Sequence, residues 1–170
     1  MQEDEARGTP LDTRIKQVLT EARVVLPGAQ ALLGFQLVAV LADGFENLPE
    51  SSRQLHLVSL ILLALSTVLL MTPAAYHRVV EQGENTEHFQ RFASRLVLMA
   101  MVPLALAIAG DAYIVVEKVS HSPALAIAST VLLLTFFFGC WFGYTTYARQ
   151  RRAPTRQRPQ PNTTREPSKA

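Results

Sequence analysis

The sequence predicts an all-α integral membrane protein: four transmembrane helices preceded by a cytoplasmic amphipathic interfacial helix. Three observations point there. Apolar residues gather into four long blocks, Lys and Arg alternate between the connections, and a leader with helical periodicity precedes the first block. Apolar residues make up 49% of the 170 residues, at the high end for a soluble chain of this size. Long stretches of the middle carry almost no charge, whereas both ends are polar.

A helix needs about 20 mainly apolar residues to cross a hydrocarbon core of about 30 Å. Residues 24–45, 57–76, 96–116 and 124–147 each qualify. Each block is apolar on all sides, which a soluble core in so small a chain cannot accommodate, so lipid is the remaining solvent. Residues 1–9 and the basic cytoplasmic tail 148–170 lack hydrophobic anchors and are expected to be disordered. The start, Gln2-Glu3-Asp4-Glu5, has no basic n-region, so no secretory leader is expected.

Orientation follows from the basic residues, which cytoplasmic loops retain. Arg7, Arg14, Lys16 and Arg23 precede the first block, Arg78, Arg91 and Arg95 lie between the second and third, and the tail from Arg149 holds seven more. Only Arg53 and Lys118 occupy the other two loops, so 14 basic residues stand on one side against 2 on the other. Both termini are therefore expected inside, with the protein multi-pass in the cell (inner) membrane. Trp141, Phe142, Tyr144 and Tyr147, just before Arg149, would form an aromatic belt at the inner interface.

In the leader, residues 10–23, Leu11, Ile15, Val18, Leu19 and Ala22 share one face of a helix. Thr9 as N-cap, Pro10 at the first helical position and Asp12 in the first turn make a start signal. The expectation is a helix lying along the cytoplasmic interface that turns into the membrane near Pro27 and Gly28.

A formal charge of +2 without a basic patch excludes a nucleic-acid footprint. A lone cysteine, Cys140, excludes an internal disulfide and any multi-Cys metal site. There is no phosphate-binding Gly-rich loop, HExxH or GxSxG, so no catalytic residue, cofactor or metal is assigned.

Ionisable groups inside spans cost about 2.5–3.5 kcal/mol at a helix centre, which makes them functional candidates. Asp111 lies in the outer third of the third span, and Asp43 at a similar depth in the first, with Gln36 two turns below on the same face. Asp43, Glu46 and Asp111 form a candidate outer ion or proton site, with Glu50, His56, Glu117 and His121 around it. Interface carboxylates solvated by water and headgroups are the plainer reading. A second, cytoplasmic polar cluster comprises Glu21, Arg23, Gln30, His77, Arg78 and Arg95, whose arginines suit phosphate or carboxylate; snorkelling is its plainer reading.

Pro103 removes a hydrogen bond in the third span and predicts a kink. Gly139-Cys140-Trp141-Phe142-Gly143 is a GxxxG contact motif. Ala42-Asp43-Gly44-Phe45 and Gly110-Asp111-Ala112-Tyr113 both read small, Asp, small, aromatic, as a duplicated helical hairpin would leave them. Chance produces matches this short as well.

The strings Glu21-Ala22-Arg23-Val24-Val25-Leu26-Pro27-Gly28-Ala29-Gln30 and Thr72-Pro73-Ala74-Ala75-Tyr76-His77-Arg78, with Arg95 opening the third span, resemble an uncharacterised bacterial membrane family. It is the domain-of-unknown-function family numbered 6328, some members of which carry a sodium:proton antiporter label. The resemblance implies a four-helix membrane fold and assigns no functional residue. The expected function is that of a non-enzymatic membrane accessory or scaffold, with the lipid bilayer and a second copy or membrane protein as partners. The alternative is a small proton- or sodium-coupled transporter.

Overall fold

The computed structural model describes residues 10–80, 86–144 and 147. The expectations for the N-terminus and the basic tail fall outside the described residues. Four α-helices follow one another: α1 (Leu11–Val40), α2 (Glu50–Val79), α3 (Glu87–Ser120) and α4 (Pro123–Phe138), the last running into a π-helical segment, Gly139–Tyr144. α1, α2 and α3, and α4 taken together with its π-helical continuation as Pro123–Gly143, are long and apolar enough to cross a membrane. Two compact units divide the chain after Thr135.

The helices extend beyond the apolar blocks because their polar flanks are themselves helix-forming. Thr86 caps α3 by accepting a hydrogen bond from the Phe89 amide at 3.1 Å. Ion pairs one turn apart, Lys16–Asp12, Arg53–Glu50 and Arg91–Glu87, support the first turns. At about 1.5 Å per residue, α1 and α2 are about 45 Å long and α3 about 51 Å, well beyond a hydrocarbon core of about 30 Å.

Heptad series on three helices explain the packing. On α1, Ile15, Ala22, Ala29 and Gln36 are buried at intervals of seven. On α2 the buried series are Ser52, Ser59, Ser66 and Pro73, and His56, Leu63 and Leu70. On α3 they are Phe89, Leu96 and Pro103, and Ala93, Ala100, Ala107 and Ile114. A seven-residue repeat keeps one seam facing the neighbouring helices along their length, and serine and alanine on that seam let backbones approach closely. The packed pairs are α1 with α2, α2 with α3, and α1 with α3.

The α2–α3 register is antiparallel. Tyr76 stacks on Phe89, Ser66 donates to the Ala100 carbonyl at 2.8 Å, and Ser52 donates to Glu117 at 3.2 Å. A Cβ on Gly110 would meet the Ser59 hydroxyl. α1 and α2 are also antiparallel, since Gln36 meets His56 while Leu19 and Leu26 share a cleft with Val68 to Arg78.

The leader differs from its expectation. Residues 11–40 form one helix that passes through Pro27 and Gly28. Ile15, Val18 and Ala22 lie in the same buried cluster as Phe89, Ala93 and Leu70. The apolar stripe read as an interfacial float is the first part of the α1 seam, so its burial is against protein. Pro10 itself flanks the helix, with φ −52° and ψ 144°, and α1 starts at Leu11, one residue later than the start signal implied; Thr9 lies outside the described residues.

The first span also ends earlier than 45. α1 closes at Val40, and Ala42 to Leu48 form turns, with Phe45 donating to the Ala42 carbonyl at 2.9 Å and Leu48 to the Phe45 carbonyl at 3.1 Å.

α4 stands apart in its exposure. Ala126 alone of its described side chains is buried, while Leu125, Val131 and Leu132 are 54%, 56% and 71% exposed. The hairpins α1–α2 and α3–α4 are thus packed differently, which gives no support to the duplicated repeat. In the second unit two of the expected belt residues pack on the preceding turn, Trp141 on Phe137 at 4.8 Å and Phe142 on Phe138 at 5.8 Å between ring centroids.

Candidate functional site

Three helices bring one polar side chain each to a single point near the end of the bundle that carries the α1–α2 turn. Gln36, at the end of the α1 seam, donates its side-chain amide to Asp111 Oδ2. His56, one turn into the α2 seam, sets Nε2 at 3.1 Å from the Gln36 backbone carbonyl and Nδ1 at 3.9 Å from Asp111 Oδ1. A carbonyl only accepts, so Nε2 carries the proton. Nδ1 then faces a carboxylate oxygen beyond hydrogen-bond range, and the pair becomes an ion pair only when the ring takes a second proton.

The triad is enclosed unevenly. Gln36 is 5% and His56 8% exposed, whereas the Asp111 side chain is 31% exposed. Phe45 folds back from the α1–α2 turn and sets its ring edge-on to His56 at 5.3 Å. Gly110 gives α3 the close approach to Ser59 that puts Asp111 in reach. An open cleft of about 390 Å³ runs beside the triad, lined also by Leu32, Phe35, Ile114 and Lys118. Lys118 reaches the Gly44 carbonyl at 3.4 Å. Gln36 Oε1 and Asp111 Oδ1 are shielded from solvent and have no hydrogen-bond partner.

Of the outer residues expected from sequence, Asp111 is at the triad, and its partners are Gln36 and His56. Asp43 and Glu46 are exposed on the α1–α2 turn. Because α1 has ended at Val40, Asp43 no longer shares a face with Gln36; its backbone carbonyl takes the Asn47 side chain at 3.4 Å. Glu50 pairs with Arg53 and accepts from Gln54, Glu117 accepts from Ser52, and His121 lines a separate cleft with Glu117 and Asn47. Among the described residues no three His, Cys, Asp or Glu side chains group closely enough to hold a metal ion.

Of the cytoplasmic cluster, Arg23, His77 and Arg78 line one cleft of about 960 Å³ between α1 and α2. Glu21, Gln30 and Arg95 are exposed and outside it. The buried hydroxyls of Ser59, Ser66 and Thr67 were not singled out from the sequence. Their signal was available: serine at 59 and 66, with proline at 73, is a seven-residue series inside the second apolar block, and Ser52 extends it upstream.

A family model for a family of unknown function matches residues 4–145. The chain belongs to DUF6328. The match takes in all four helices, the triad and the α1–α2 cleft, and extends past Arg95, the last residue of the resembling strings. No curated protein and no solved structure is significantly similar to this DUF6328 chain.

Proposed function

We propose that this DUF6328 protein crosses the inner membrane four times with both termini cytoplasmic, and acts as a non-enzymatic accessory or scaffold that associates with a second copy or a membrane partner. The observation behind it is α4, whose Leu125, Ile127, Val131 and Leu132 are uncovered although α3 buries Ala100, Ala105 and Ala107 completely. Beyond α4, a Cβ on Gly139 would meet nothing within 4 Å, and small open residues of this kind are where membrane helices approach each other. Cys140, exposed between Gly139 and Gly143, reports on that contact. Mild oxidation of native membranes is expected to produce a Cys140-dependent species of higher mass, weakened by Gly139→Leu with Gly143→Leu. A chain that stays monomeric under oxidation would count against this face.

The transport reading has one observation in its favour, the shielded and unpaired Asp111 and Gln36 oxygens beside an open cleft. Opposing it, Leu63, Leu70, Ala100, Leu104 and Ala107 form an apolar layer between the triad and the inner end. The hydroxyls near that layer are committed to carbonyls, Ser66 to Ala100 and Thr67 to Leu63. Liposomes holding the purified protein are therefore expected to show no proton or sodium flux above empty vesicles. Flux that Asp111→Asn abolishes would replace the accessory reading with the carrier.

A further inference from the structure

The inner cleft between α1 and α2 combines two chemistries. Leu19, Leu26, Val68 and Met71 give it an apolar wall, and Arg23 and Arg78 give it charge, with His77 between them in composition. Among the described residues no ion pair joins Arg23 or Arg78 to a carboxylate, so neither guanidinium is neutralised there. His77 rests its ring against Phe89 at 5.0 Å, and its Nε2, shielded from solvent, has no hydrogen-bond partner.

Helix direction brings the two arginines together. With Gln36 level with His56, Arg23 lies about 13 Å further out along the pair than Arg78, at about 1.5 Å per residue. Helical side chains lean toward their own N-terminus. The N-terminus of α1 is at the inner end and that of α2 at the outer end, so Arg23 leans inward and Arg78 outward, into the same cleft. Two converging guanidinia are matched by a phosphate. A free phosphate would leave the apolar wall uncovered, whereas a lipid satisfies both parts.

We infer that this cleft holds one anionic phospholipid of the inner leaflet. Its phosphate sits between Arg23 and Arg78, His77 Nε2 bonds an oxygen of its head or ester group, and an acyl chain follows Leu26, Val68 and Met71. Basic pockets between membrane helices on the cytoplasmic side are suited to such headgroups. The inference rests on the four-pass reading with cytoplasmic ends.

The test is native mass spectrometry of the purified full chain in neutral detergent, titrated with phosphatidylglycerol, phosphatidylcholine or inorganic phosphate. One phosphatidylglycerol is expected to remain bound, with phosphatidylcholine weaker by about tenfold or more. Arg23→Gln with Arg78→Gln should weaken phosphatidylglycerol by a similar factor, and Arg53→Gln, at the opposite end of α2, should not. Both inner arginines are exposed, so the helical content of the double variant should be unchanged. Undiminished phosphatidylglycerol binding in that variant would overturn the proposal, as would displacement of the lipid by equimolar inorganic phosphate. Release of the chain from vesicles by alkaline wash would instead sink the four-pass reading beneath it.

Discussion

Gly110→Leu is expected to lower the stability of the folded chain by about 3 kcal/mol, at the upper end for an overpacked core position. A Cβ at 110 already falls on the Ser59 hydroxyl, with the Ser59 Cβ only 3.7 Å away and Leu55 Cδ1 at 3.5 Å. The hydroxyl can rotate, but the Ser59 Cβ cannot, since α2 carries it. Alanine at 110 therefore displaces only Ser59 Oγ, and its better helix propensity, worth up to about 1 kcal/mol over glycine, offsets that shift. Leucine adds atoms where the α2 backbone stands and must part α2 from α3. The measurement is the denaturant midpoint in mild detergent for wild type, Gly110→Ala and Gly110→Leu. A leucine variant as stable as the alanine variant would show that α2 and α3 do not approach here.

The second large effect concerns Gln36. Its amide is the hydrogen-bond donor to Asp111 Oδ2, and a bond to a charged group contributes about 1.5–3 kcal/mol. Gln36→Leu removes the donor and leaves the carboxylate enclosed without it, so a loss of about 2 kcal/mol is expected. Gln36→Leu with Asp111→Leu should cost less than the two single changes together, because removing both partners leaves no polar group unpaired. Equal costs in both backgrounds would mean the two side chains do not interact. The cycle also separates structure from transport: a triad that only clamps three helices shows this coupling in stability and no flux.

The site was partly legible in the sequence. Asp111 stands out because a carboxylate in an apolar block is costly, and His56 is read as surrounding its site, whereas Gln36 is read as lying below Asp43 on the first span. What misled was the assumption that the first helix continues to Phe45, which placed Asp43 on the Gln36 face. Hydropathy does not register the stop at Val40, because Leu41 and Ala42 are as apolar as what precedes them. The leader misled for a related reason. An apolar stripe facing lipid headgroups and one facing neighbouring helices have the same periodicity, and only the buried partners Phe89 and Ala93, far along the chain, distinguish them.

Residue order alone determined that there would be four long apolar helices and where most of the charge would lie, because hydrophobic block length and Lys and Arg placement are properties of contiguous residues. Tertiary structure decided the rest: how far each helix runs, which seam it turns inward, and that Asp111 meets Gln36, 75 residues away. The rotation of a helix about its axis and its sliding register have no local signal. They are set when serine and alanine on one seam allow another backbone to approach, and that complementarity exists only between residues the fold has brought together.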